Sequence, residues 1–195
     1  MARIPIEDNF DDVINKTQRG LQITDEQLAS RAEVSAEDLA AVKEGTPNIA
    51  VIRRVARHLR LNPDALEELT NKSWYPDQPD FPCGFAMFNT VFEDMTVNSY
   101  LIWDPRTKHA AAFDTGSDCQ AMLDVINSEG LNLRYIFITH THEDHIVDLP
   151  KLAEATKAEV WASEKEPVDF PGAQTFQENA HFHVGELAIK ALLTW

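Results

Sequence analysis

Tyr135-Ile136-Phe137-Ile138-Thr139-His140-Thr141-His142-Glu143-Asp144-His145 is the stretch whose reading decides the fold. Four consecutive apolar or aromatic residues mark a short strand covered on both faces, and the expected strand is Leu133–Ile138. The polar run begins where that strand ends, the place where open α/β sheets carry their sites. In extended backbone, positions i, i+2 and i+4 face one side. His140, His142 and Asp144 are therefore expected to converge, with His145 pointing elsewhere once the chain turns into a helix. The spacing gives two adjacent metal positions, His140 with His142 and Asp144 with His145. Imidazoles joined by a carboxylate suit zinc, and also iron or manganese.

Outward from this stretch the residues alternate between strand and helix patterns. Phe85–Phe92, Val97–Trp103 and Ala110–Phe113 are strand-like, and Asp104-Pro105-Arg106-Thr107-Lys108 makes a hairpin turn between two of them. Asp118–Ser128 is an expected helix with Met122, Val125 and Ile126 inward and Gly130 as its stop. Ile146–Thr156 is a further helix, and Val160-Trp161-Ala162 a strand. Strands and helices in this order indicate a layered α/β domain.

His140-x-His142-x-Asp144-His145 after an apolar strand resembles the metallo-β-lactamase fold superfamily. Asn98-Ser99-Tyr100-Leu101-Ile102 is similar to that family's early strand, and Ala112-Phe113-Asp114-Thr115-Gly116 to its apolar-Asp-x-Gly turn. The layout is most similar to the glyoxalase II-like, thioester-hydrolysing branch, over about residues 85–195. The resemblance implies an αββα sandwich and a metal-dependent hydrolase with two ions, zinc foremost, that share a hydroxide. That hydroxide would attack a thioester, an ester or a similar small-molecule substrate. It implies His140 and His142 on the first ion and Asp144 and His145 on the second, with Asp144 also orienting the water. Asp114 would be a carboxylate behind the ligands. The alternative for Asp114 is a plain turn residue beside Gly116.

Two departures stand out. Ile146-Val147-Asp148 occupies the place where the family commonly has a Gly-Gly pair, so the entrance is expected to be bulkier or more acidic. The family's later ligands, a His in a Thr-Pro-Gly-His-like turn, a bridging Asp and a final His, have no counterpart before Trp195. The second unit is therefore expected to be the first half of the sandwich only. A completing C-terminal segment or a second copy of the chain would supply the rest. His181-Phe182-His183 has a spacing that a metal uses, but it equally fits a strand with two outward imidazoles and an inward Phe182, and the latter is preferred. His58 and His109 read as structural or surface residues.

The first 72 residues carry a different pattern. Phe10, Val13, Ile14 and Thr17 recur at helical spacing. Thr24, with Gln27 three residues on, forms a capping box for a second helix. Ser35 caps a third helix holding Leu39 and Val42, and Gly45 marks its stop. Ile52, Val55, Ala56 and Leu59 share one face of a fourth, and Ala65–Leu69 is a short fifth. Asp25–Glu33 and Ser35–Glu44 joined at Val34 make a helix-turn-helix arrangement. Over about residues 9–70 it resembles the Cro/phage-repressor type of DNA-binding domain. By that resemblance Ser35, Lys43, Arg53 and Arg57 are the candidate DNA contacts. Against DNA stands the opening of the recognition helix, Ala36-Glu37-Asp38, whose carboxylates repel phosphates. A protein-contact or dimerisation role is the preferred alternative.

Residues 73–82 hold three prolines and no helical period, and read as an extended linker between units 1–72 and 83–195. Net charge is −15 over 195 residues. Residues 1–75 hold 13 acids and 10 bases, a net of −3, and residues 76–195 hold 19 acids and 7 bases, a net of −12. A chain this acidic is a poor general binder of phosphate backbones or anionic membranes. No apolar run is long enough for a membrane span, and the start of the chain lacks a secretory pattern. Cys83 and Cys119 form no metal or disulfide motif, so a cytoplasmic protein with two structural thiols is expected. Two functions are open on these residues. The first is a metal-dependent hydrolase fused to a helix-turn-helix module. The second is a DNA- or protein-binding regulator whose degenerate metal domain senses rather than turns over.

Overall fold

The computed structural model describes residue 4 and residues 6–93 and 95–193. Parts of two expected stretches, at residues 1–3 and 5 and at residues 194–195, lie outside the described residues. The chain divides into two compact units between Gln78 and Pro79, inside the proline-rich stretch.

The first unit is built of five helices, α1 (Phe10–Gly20), α2 (Asp25–Ala32), α3 (Ala36–Lys43), α4 (Ile49–His58) and α5 (Pro63–Thr70). Each of the last four starts at a side chain that takes an otherwise orphaned backbone N–H. Thr24 accepts from Gln27, Ser35 from Asp38, Asn48 from Val51, and Asn62 from Asp64 and Ala65. Ile14, Leu28, Leu39, Val42, Ile52, Val55 and Leu59 interlock in one core. The turn between α2 and α3 is Glu33-Val34-Ser35, with Glu33 in the left-handed region at φ 53°.

The second unit is a mixed six-stranded sheet with helices on one face and a hairpin on the other. Its strands run β1 (Phe85–Phe92), β2 (Met95–Trp103), β3 (His109–Phe113), β4 (Asn132–Ile138), β5 (Glu159–Ser163) and β6 (Gln174–Phe176), in that spatial order. The first three are antiparallel, and β3 to β6 run parallel. Helices α6 (Gln120–Glu129) and α8 (Leu149–Thr156) cover one face. There Met122, Leu149 and Leu152 pack on Leu101, Ala110, Ala112, Ile136 and Ile138. The alternate residues of the same strands, Ala111, Phe113, Tyr135 and Phe137, face the other way. They meet Phe182 and Val184 of the hairpin β7 (His181–Val184) and β8 (Leu187–Lys190). Phe182 lies 4.7 Å from the Phe137 ring and 5.1 Å from Trp161, and its flanking His181 and His183 are exposed.

The hairpin's far end is fastened by one carboxylate. Asp104, buried in the β2–β3 turn, accepts from Glu186 N at 2.8 Å, Arg106 N at 2.9 Å and Thr107 Oγ1 at 2.9 Å. The approach is close because residue 185 is glycine. With φ +61°, a Cβ there would stand 2.2 Å from Asp104 Oδ2 and 2.1 Å from Thr107 Oγ1.

The helix expected over Ile146–Thr156 begins only at Leu149, as α8, and a separate single turn, α7 (Glu143–Ile146), precedes it. Pro150 fits the first turn of α8, where its missing N–H costs nothing. Asp148, at the break, turns across to accept from Cys119 N at 2.8 Å, at the start of α6. Cys83 is exposed rather than structural, whereas Cys119 is buried. No helix among the described residues is long and apolar enough to cross a membrane.

Candidate metal centre

The register of the parallel strands assembles the site. Phe113 of β3 pairs with Phe137 of β4, and Ile138 of β4 with Ala162 of β5. The three C-terminal ends therefore emerge side by side. They deliver Asp114, the run Thr139–His145, and Ser163–Glu166 to one rim of the sheet.

Asp114 adopts the left-handed region at φ 58°, a conformation Asp tolerates better than most residues. This bend aims both carboxylate oxygens at the next strand's loop. Oδ1 accepts from Thr139 N at 2.8 Å, and Oδ2 from Thr139 Oγ1 at 2.7 Å and His145 Nδ1 at 2.8 Å. Thr115 completes the seam, its N and Oγ1 both donating to His145 O at 3.0 Å.

These bonds fix proton positions. A carboxylate only accepts, so Thr139 spends its single hydroxyl proton on Asp114 and can only accept from His140 Nδ1, 3.0 Å away. The Nδ1 of both His140 and His145 thus carries the proton. Their Nε2 atoms are turned outward, the nitrogens left to bind metal. Burial, with the neighbouring imidazoles of His145 and His142, pushes the His140 pKa below its ordinary value, favouring its neutral form.

The outward atoms meet in pairs. His140 Nε2 stands 3.1 Å from His142 Nδ1, and His145 Nε2 3.4 Å from Asp144 Oδ2. Two donors on one tetrahedral zinc, each about 2.0–2.1 Å from it, are about 3.3 Å apart. Both pairs have that spacing, and the His140 and His145 rings are 4.0 Å apart between centroids, so the pairs adjoin. Among the described residues no three His, Cys, Asp or Glu side chains are grouped to hold one ion together. The donor chemistry fits metal, as two adjoining half-shells. Asp144 and His145 are buried and His142 is exposed, which leaves the pairs open at the His142 side.

The structure corrects how these residues meet. Extended backbone ends at His142, which caps α7, so Asp144 is helical and does not share a strand face with His140 and His142. His145 does not point away, because the single turn of α7 brings it back under His140. Asp148 does not make the entrance acidic, since it bonds Cys119 N and Lys151. The bulk there is Val147, 43% exposed.

Glu166 is a residue that the sequence reading missed. Its Oε1 accepts from both the backbone N and the Oγ1 of Thr141, at 2.8 and 2.9 Å. The Thr141 amide, foremost, holds the Glu166 carboxyl below its usual range. The one available signal was its place just past the end of a strand parallel to β4. In the helical unit, Ser35 is occupied in capping α3. Lys43 pairs with Asp25, and Arg53 bridges Asp64 and Glu67. Arg57 has no ion pair among the described residues.

The chain has relatives among known proteins. The profile of the Metallo-beta-lactamase superfamily matches residues 93–191. A hydroxyacylglutathione hydrolase of Methylobacillus flagellatus is 41% identical over 63 residues, 32% of this chain and 25% of its own. Hydroxyacylglutathione hydrolase GloC of Haemophilus influenzae is 35% identical over 66 residues, 34% of this chain and 31% of its own. The matched stretch thus spans about a quarter to a third of the length of these relatives. Among solved structures, ETHE1 from Myxococcus xanthus superposes at a TM-score of 0.46 with 25% identity, over 54% of this chain and 46% of its own. With the profile matched across just over half its length, the chain belongs to the metallo-beta-lactamase superfamily.

Proposed function

We propose that the α/β unit is a metal-dependent hydrolase of small thioester or ester substrates, joined to a helix-turn-helix module. The observation that carries it is the pair of two-donor half-shells held in ligating form by Asp114. In this reading His140 and His142 hold one ion, Asp144 and His145 the second, and zinc is the first choice for both. A bound divalent ion supplies Lewis acidity and brings the pKa of water from 15.7 toward ~7. Asp144, with a second carboxylate oxygen, orients the water that attacks the substrate carbonyl. Asp114 keeps His145 and, through Thr139, His140 aimed at the metal positions. The remaining positions on each ion fall to water, substrate and donors from outside the described residues. The names of the relatives favour a hydroxyacyl thioester of glutathione as substrate, and the cysteine usage favours the cytoplasm.

The test is metal content of the purified full chain after zinc, iron or manganese supply, with hydrolysis of a hydroxyacyl-glutathione thioester. Wild type is expected to carry metal and turn over, and His142→Ala to lose both. A wild-type chain that takes up no metal would sink the reading. A regulatory reading, in which the site senses metal without turnover, is favoured by one observation, that among the described residues no more than two donors gather at either position. Saturable metal binding with no hydrolysis would select it.

A further inference from the structure

The two members of the His140/His142 pair lie in a loop with no ladder of its own. Thr141, between them, is held instead from outside, by a residue 25 positions away. Glu166 sits in the turn after β5, and that turn is itself built. Glu166 N donates to Ser163 O at 3.1 Å, Lys165 N to Ser163 Oγ at 3.1 Å, and Glu164 N to Phe176 O at 2.9 Å. The carboxylate is therefore presented on a rigid base, next to the strand that launches the motif. Oε1 alone takes both Thr141 bonds, one to the backbone N–H and one to the hydroxyl. The two bonds hold the Thr141 N–H and its side chain against one fixed point. Thr141 carries the neighbours on either side whose nitrogens face each other at 3.1 Å. The loop's other ties outside itself are at its two ends, Thr139 and His145 on Asp114 and His145 on Thr115.

We propose that Glu166 is a positioning residue for a metal ion shared by His140 and His142, acting through Thr141 rather than as a ligand. This rests on the metal-centre reading above. Because both bonds end on one oxygen, an amide oxygen can replace it. Glu166→Gln keeps the acceptor and loses the charge, while Glu166→Ala loses both.

The experiment titrates the full-length chain with Co²⁺, read by its visible absorption, and follows Thr141 amide hydrogen exchange and thermal melting in the same variants. Glu166→Ala is expected to bind cobalt about 10–100-fold more weakly, the usual effect of losing a partner that orients a ligand. Thr141 should then exchange at least about tenfold faster with melting little changed. Glu166→Gln is expected to stay near wild type in all three readouts. Wild-type cobalt affinity in Glu166→Ala overturns the proposal. So does a Glu166→Gln as weak as Glu166→Ala, since charge or direct ligation would then be the cause. Should Glu166→Ala fail to fold, Thr141→Val removes the hydroxyl bond alone. It is expected to weaken cobalt binding several-fold, and an unchanged affinity overturns the proposal. A wild-type chain that binds no cobalt fails the metal-centre reading and takes this one with it. Binding in wild type that is undisturbed in Glu166→Ala fails this one alone.

Discussion

Oδ2 of Asp114 accepts from Nδ1 of His145 at 2.8 Å, joining residues 31 positions apart, the first just past β3 and the second in α7, which follows the neighbouring parallel strand β4. The same oxygen holds Thr139, and Thr139 in turn holds His140. One buried carboxylate therefore sets the ring orientation of two imidazoles. Asp114→Ala leaves the Thr139 N–H, the Thr139 hydroxyl and the His145 ring without their acceptor. The expected loss is about 1–3 kcal/mol for each donor that water cannot reach. Cobalt affinity is expected to fall about 10–100-fold. Urea unfolding and cobalt titration check the two effects separately, and a variant with unchanged cobalt binding would remove Asp114 from the site.

Asp104 provides a pH test away from the site. The backbone N–H groups of Glu186 and then Arg106 hold its carboxyl at about 2, against an ordinary 3.8. A depressed folded-state pKa stabilises above the unfolded value and is lost as pH falls through the folded one. Wild type should thus lose stability between about pH 4 and pH 2 that Asp104→Asn never had. Urea midpoints at pH 7, 3 and 2 for both proteins measure the difference, and parallel curves would refute it.

The two thiols should separate cleanly. Burial, reinforced by the side chain of Asp148, pushes the Cys119 thiol up to about 12. Cys83 is exposed. At pH 8 a disulfide reagent is expected to titrate one thiol in the folded chain and two in denaturant. Cys83→Ser should abolish the folded-state reaction. Rapid reaction of both thiols would show that the α6–α8 junction opens readily.

For the helical unit the expected result is negative. Lys43 and Arg53 are engaged with acids inside the unit, and α3 opens on Ala36-Glu37-Asp38. No electrophoretic shift is expected on duplex DNA at low salt, and Arg53→Ala should lower the melting temperature of the unit. A shift that Arg57→Ala abolishes would reverse this and make the module a DNA reader.

How far these features were legible depends on how local their cause is. Thr24 with Gln27, Ser35 ahead of Asp38, and Gly130 past α6 are signals within one turn of chain, and each is observed where expected. Strand β1 has the expected bounds, since period and turn residues define it at both ends. The residues of the His/Asp run were legible as a group, but their mutual placement was not. An extended reading continued through Asp144, while the chain had already entered α7 at Glu143. That one error also sent His145 the wrong way. Glu166 and the Asp104 fastening join residues 25 and 82 positions apart, and no local pattern announces such a bond. Once β3, β4 and β5 are known to be parallel neighbours, the rim that holds Asp114, His140 and Glu166 follows from register alone.

The β7–β8 hairpin, fastened at Asp104 and seated through Phe182, contributes no donor to that rim. Its loss would strip cover from Phe137 and Tyr135 while leaving the strand ends joined to one another. The α/β unit therefore keeps the cover of its aromatic layer and the assembly of its donor rim in separate sets of contacts.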